Sequence, residues 1–343
     1  IFWQSGWNFM VEWLNTPLGQ QRATLPSLYL FSQLILFIIY INQDCFYNYL
    51  VKEEFKFFAI IFLQCHTLIT ALNYIIQWAS MWTLWDYYAS DDWRLMLIVS
   101  IASILAIITL TGHSYDLVCS PFIMSYDSIQ YNVRIETSFV TEKMSPFLLH
   151  ILNYIFNEYI ISLLSILVWH GSYTLLDVFL YPNNENMSAA ISLLIGYVLF
   201  FILMYTQSFQ NNIGLLSTFI HLNFPSFIQN LRHLCAFFSC IFLWRGYWIL
   251  FDAHIATISF VHESPYTSYV IGIIISFIIL SIMKIASSIN GPMSHINDDE
   301  YNLFPLYSNC FLVKWFNRKK NPNELSSGLS KITNVEPFII VSF

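Results

Sequence analysis

Apolar runs of about 20 residues recur along most of the chain, and each is long enough to cross a ~30 Å hydrocarbon core as a helix. This restricts the fold sharply, because backbone polar groups in lipid find partners only within a helix or a closed barrel. Residues 25–43, 57–85, 93–112, 147–176, 188–206, 231–251 and 267–288 read as spans, and "IFWQSGWNFMVEWL" at residue 1 as a clipped eighth. The expected fold is all-α, a polytopic membrane protein with eight transmembrane helices. Composition agrees: 57% of the 343 residues are hydrophobic and 10% charged, which excludes an ordinary soluble domain. The partner this implies is the lipid bilayer, and no nucleic-acid partner is expected. Beginning at Ile1 inside an apolar run, the chain reads as a fragment or processed form.

Lysine and arginine set the orientation, since they are retained on the cytoplasmic side. Connections within successive pairs of spans carry only Arg22 and Arg94, whereas the opposite side holds Lys52, Lys56, Arg134, Lys143, Arg232 and Lys284, with Lys314, Arg318, Lys319, Lys320 and Lys331 in the tail. Both termini are expected in the cytoplasm. Asn186-Met187-Ser188 is a glycosylation sequon on the expected outer side. Cys45, Cys119 and Cys310 fall on the inner side and Cys65, Cys235 and Cys240 within helices, so no exterior disulfide framework is expected.

The odd-numbered spans share a motif. Trp244, Gly246, Trp248, Leu250 and Asp252 stand two residues apart in "LWRGYWILFD"; Trp169, Gly171, Tyr173, Leu175 and Asp177 repeat the register in "VWHGSYTLLDVF". Trp78, Ser80, Trp82, Leu84 and Asp86 repeat it again in "QWASMWTLWDYY", and Trp3, Ser5, Trp7 and Phe9 form a worn first copy with Glu12 one place late. Each copy precedes a turn and a second helix, so four repeated hairpins account for all eight spans, at about 1–45, 55–113, 147–207 and 231–289, with a cytoplasmic tail over 291–343 that reads as largely flexible.

A period of two suggests a strand, but an isolated strand in lipid leaves its backbone unpaired. On a helix at ~100° per residue, the two aromatics and the Asp fall at roughly 0°, 40° and 80°, forming one stripe. The small residue and the Leu lie on the opposite face, where Gly or Ser admits a neighbouring helix. The plainest expectation is that the aromatics anchor the outer interface and the Asp ends the helix in water. An Asp at a helix C-terminus opposes the dipole and calls for compensation; Arg245, beside the stripe, is placed to pair with an Asp of another copy.

A second polar register lies 12 and 11 residues before each leading Trp: His66 and Thr67, Asn157 and Glu158, Arg232 and His233. It reads as the inner membrane boundary, or as a ring of ionisable groups around a central path. His150, Asn153 and Asn157, like Asn73 and Gln77, form polar helix faces suited to inter-helical hydrogen bonds. No HExxH, CxxC, Gly-rich phosphate loop or nucleophile elbow occurs, so no enzyme activity, cofactor or metal is expected. The connection from 113 to 146 is long enough to bind a partner. In the tail, Lys314 to Lys320 suit anionic lipid, and Val341-Ser342-Phe343 is the apolar-any-apolar ending that a PDZ domain captures.

With eight spans and "WRGYWILFD", "WHGSYTLLD" and "WASMWTLWD" as its copies, the chain resembles the Fuseless family of invertebrate multi-pass proteins over most of residues 1–290. It departs from the pattern at Ser80 and at the missing Asp of the first copy. The resemblance implies a presynaptic plasma-membrane role in organising active zones and localising voltage-gated calcium channels, with channel or scaffold proteins as partners and no catalytic residues. The alternative is a transporter or channel, because repeated hairpins with matched polar registers are a way to build a central site.

Overall fold

In a computed structural model, the chain is described over residues 1–290, apart from 18, 21–22, 53–55, 90–91, 124–126, 128, 134–138, 140–143, 210–224 and 255–264. The chain divides into Ile1–Leu303 and Phe304–Phe343. The second unit lies outside the described residues, and with it the basic run at 314–320, Cys310 and the Val341–Phe343 ending.

The described residues are helical, without a strand. In chain order the helices are α1 (Phe2–Leu14), α2 (Thr24–Lys52), α3 (Lys56–Tyr88), α4 (Trp93–Thr111), a short α5 (Ile129–Val133), α6 (Pro146–Phe179), α7 (Glu185–Phe209), α8 (Pro225–His254) and α9 (Pro265–Ile282). Local chemistry sets several ends. The Asp92 side chain caps α4 by accepting from the Arg94 amide at 3.0 Å, and Gly112 ends it with φ of 83°, a left-handed conformation that costs glycine little. Ser145 caps α6 with Pro146 in its first turn, where the missing N–H is no loss.

Six helices, α2, α3, α4, α6, α7 and α8, are long and apolar enough to cross a membrane. The two at the ends of the described chain differ from the expected spans. α1 has 13 residues and α9 has 18, about 20 and 27 Å at 1.5 Å per residue, so the described part of α1 alone falls short of a ~30 Å core.

The stripe-bearing helices α1, α3, α6 and α8 form an inner ring, and α2, α4, α7 and α9 an outer one. Half of the apolar window is buried in α6 and α8 but only 22% in α4, and the outer helices present Ile98, Ile101, Leu194, Val198, Ile274 and Ile278 outward, as lipid contact requires. An outer helix does not pack chiefly on the inner helix that precedes it. Instead α2 packs on α3, α4 on α6, α7 on α8, and α9 returns to α1. The expected hairpins are thus connected in sequence but interleaved in space, and the interleaving closes into a circle.

The small motif residues set these contacts. A Cβ at Gly171 would lie 2.9 Å from the Met96 carbonyl oxygen of α4 and against Ser100 Oγ; at Gly246 it would lie 3.1 Å from the Ala189 carbonyl oxygen of α7. Ser5 holds the same motif place in α1, and there the partner supplies the glycine: a Cβ at Gly272 of α9 would meet Ser5 Cβ at 3.2 Å. Ser80 is fully buried, its hydroxyl donating to the Ile76 carbonyl of its own helix. Because the Met96 carbonyl is backbone and cannot swing aside, Gly171→Val is expected to destabilise the protein by about 1–3 kcal/mol. Thermal unfolding in detergent micelles, compared with Gly112→Asn, which faces no contact within 4 Å, checks this.

Candidate functional site: a central aromatic cavity

The stripes face the centre of the inner ring, which overturns the expectation that they anchor the outer interface. The four leading tryptophans close on one another: Trp3–Trp78 at 6.0 Å between ring centroids, Trp78–Trp169 at 6.1 Å, Trp169–Trp244 at 6.2 Å and Trp244–Trp3 at 6.2 Å. Interplanar angles of 75–82° make every contact edge-to-face, the favoured geometry for aromatic quadrupoles. Four residues on, Trp7, Trp82, Tyr173 and Trp248 form a second tier, with Trp7–Trp82 at 5.4 Å, Trp82–Tyr173 at 5.8 Å and Trp7–Trp248 at 5.6 Å.

Together the tiers line a cavity of about 180 Å³, with Cys119, Ser120, Ser288 and Asn290 as its remaining lining. These four come from two connections tucked beneath the inner ring. One carries a 3₁₀ turn at Tyr115–Leu117 packed on α6 and α8; the other carries Ala286–Ile289 packed on α3 and α9. Indole N–H groups fasten them: Trp244 Nε1 donates to the Ser120 carbonyl at 2.7 Å, Trp169 Nε1 to the Leu117 carbonyl at 3.2 Å and Trp3 Nε1 to the Ile289 carbonyl at 2.7 Å. Each bond satisfies a donor that would otherwise be costly in an apolar interior, and together they make the connections the cavity floor.

The three motif aspartates sit at the opposite end and are exposed. Each is held by the residue that follows the leading Trp of the next inner helix. Asp177 of α6 accepts from Arg245 Nε of α8 at 2.8 Å, Asp86 of α3 lies 2.6 Å from His170 Nε2 of α6, and Asp252 of α8 accepts from Gln4 Nε2 of α1 at 3.0 Å. In α3 that place is Ala79, and the acid it would have met is the displaced Glu12 of α1, so the exceptions coincide. The second-tier aromatic follows the same rule: Trp82 lies 4.6 Å from His170, Arg245 stands 5.9 Å over Tyr173, and the Trp248 carbonyl accepts from Gln4 at 2.7 Å. Arg245 also donates to Ser192 Oγ at 2.9 Å.

The second polar register is not brought to one site. His66 lies 5.9 Å from the Phe46 ring, and Thr67 Oγ1 accepts from Asn132 at 2.6 Å, both away from the centre toward α2 and α5. Glu158, on a π-helical segment at Ile155–Ile161, is fully buried and accepts from Tyr74 of α3 at 2.8 Å. His233 lies 5.2 Å from Tyr115 on the floor connection, and the neighbouring Arg232 is half-buried. These groups join neighbouring elements and do not ring a central path. The other polar helix faces do likewise: Asn153 bonds both the amide and the carbonyl of Phe139, at 2.6 and 2.9 Å, and Gln77 donates to Ser162 Oγ at 3.2 Å. Asn186 is exposed in the first turn of α7, while the sequon's Ser188 is buried and donates to the Leu180 carbonyl. No group of three or more His, Cys, Asp or Glu side chains suited to a metal occurs among the described residues.

Six long apolar helices and an internal cavity define a multi-pass α-helical membrane protein. Its family is shown by a match to the family model described as Fuseless over residues 1–290. The chain belongs to the Fuseless family. No curated protein matches it, and no solved structure does.

Two expectations follow from this geometry. Arg245 is 4% exposed in its side chain and Asp177 49%, so removing Asp177 strands a buried guanidinium, whereas removing Arg245 leaves a carboxylate that water reaches. Asp177→Ala is expected to cost about 3 kcal/mol and Arg245→Met less, measured by thermal unfolding in nanodiscs with the double variant closing the cycle. On the floor connection, burial raises the Asp116 carboxyl to about 7, partly offset by a backbone hydrogen bond. The native state then holds a proton that the unfolded chain releases near pH 4, so this group's stabilisation is lost as pH rises from about 4 to 7. The difference in melting temperature between Asp116→Asn and the parent chain is expected to grow over that range.

Proposed function

We propose that the chain is an eight-span plasma-membrane protein, built from four repeated hairpins with both termini cytoplasmic, that works by interaction at presynaptic terminals. There it organises active zones and localises voltage-gated calcium channels, without catalysing a reaction. The observation that carries this reading is membership of the Fuseless family over residues 1–290; the closed double ring of helices supports it as a rigid platform between two sets of connections. Channel or scaffold proteins are the partners, met through the cytoplasmic connections and the tail. In the native tissue, the protein is expected to co-purify with active-zone calcium channels, and its loss to lower channel density at release sites. Unchanged density together with no co-purification overturns the proposal.

A second reading, a transporter or channel, is favoured by one specific observation: the motif stripes of four helices converge on a central cavity instead of facing lipid. The four hairpins would be parallel copies, each entering from the cytoplasm, which differs from the inverted repeats of many transporters. Reconstituted flux that falls on Asp177→Asn or Trp82→Leu supports this reading, and proteoliposomes passing no common ion or metabolite count against it.

A further inference from the structure

The cavity lining is unusual for a membrane interior. Eight of its twelve residues are aromatic and none is Leu, Ile or Val, in a chain whose aromatic content is 18%. A helix bundle seeking only tight packing fills its axis with aliphatic or small side chains and leaves no void. Here four helices spend their best-matched positions on holding a space open. At about 180 Å³, it is close to the ~150 Å³ apolar cavities that admit a molecule of benzene's size, so its occupant has about five to eight non-hydrogen atoms.

Charge decides what kind of molecule this is. The lining carries no formal charge, but the exposed end above it carries three carboxylates, Asp86, Asp177 and Asp252, beside the guanidinium of Arg245, the imidazole of His170 and the amide of Gln4. The inner helices α1, α3, α6 and α8 all run toward that end, and each presents the negative pole of its dipole there, about half an elementary charge. Carboxylates and helix ends thus draw cations to the mouth. Indole and phenol faces hold them once inside, most strongly where water is excluded. At the floor, Asn290 lines the cavity and is 6% exposed, and its Oδ1 meets no donor among the described residues. That acceptor suits a hydroxyl or ammonium N–H at the far end of a ligand.

We propose that the central cavity is a binding site for a small organic cation, an alkylammonium with a hydrogen-bond donor one or two carbons from its charge. The ammonium sits between Trp7, Trp82, Tyr173 and Trp248, and the donor reaches Asn290. The site is required by neither reading above: it works equally as a receptor site that reports on the extracellular medium and as the resting position of a transported molecule.

The purified full chain in nanodiscs provides the test, with choline as the probe. Its neutral carbon isostere 3,3-dimethylbutan-1-ol is the control, and tetramethylammonium is the cation without a donor. Tryptophan fluorescence and thermal stability report occupancy. Saturable choline binding is expected, with the isostere at least about tenfold weaker, since it keeps shape and loses only the cation–π attraction. Trp248→Leu is expected to weaken choline about tenfold, and Asn290→Ala to weaken choline but not tetramethylammonium. If the isostere binds as well as choline, the cavity is an apolar site and the proposal fails. If neither cation binds at millimolar concentration, it fails outright. The isostere comparison uses the parent chain, so a variant that does not fold leaves the test intact. Binding without flux removes only the transport reading, and calcium-channel co-purification is measured separately.

Discussion

Four indoles held at one level organise this protein. Lipid supplies no hydrophobic drive for one helix to seek another, so association in a bilayer depends on packing and on hydrogen bonds between buried groups. The closed circuit of Trp3, Trp78, Trp169 and Trp244 provides both. Each edge-to-face contact is worth about 0.5–1.5 kcal/mol beyond the area it buries, and the circuit gains from closure because every ring serves two neighbours. Three of these indoles then spend their N–H groups on carbonyls of two distant connections. The circuit that sets the spacing of the inner helices therefore also shuts one end of the space between them.

The outer helices keep that circuit in register. Two of them fit where the motif offers a small residue, α4 at Gly171 and α7 at Gly246, and each outer helix packs on an inner helix other than the one that precedes it in the chain. Each outer helix thereby ties the inner helix before it in the chain to the next one around the ring. The carboxylate pairs repeat this pattern at the exposed end, where Asp86, Asp177 and Asp252 reach His170, Arg245 and Gln4 of the following inner helix. Small-residue contacts, aromatic tiers and acid pairs all run around the ring in one direction. A single substitution is consequently felt by two inner helices.

Periodicity made much of this legible. The motif register, its division into an aromatic–acid face and a small-residue face, the close approach at Gly171 and Gly246, and the location of Arg245 beside the stripe all follow from 3.6 residues per turn. The direction of the aromatic face did not. An indole is equally at home in a headgroup belt and around a cavity, because both give it apolar contact and a carbonyl or water for its N–H. The polar pairs at His66, Glu158 and His233 posed the converse difficulty. They share a register along their helices, yet they meet α5, Tyr74 and Tyr115, partners that are not themselves repeated.

The sequence by itself determined a helical membrane protein, the membership that its pattern carries, and the residues sharing each helix face, because these depend on hydropathy and helical pitch within one segment. Only the tertiary structure decided that the stripes turn inward, that each outer helix packs on the next inner helix, and that Cys119, Ser120, Ser288 and Asn290 floor the cavity. Those outcomes depend on the rotation of each helix about its own axis and on which helices stand side by side. Local periodicity is unchanged by either, so only the closing of the ring fixes them.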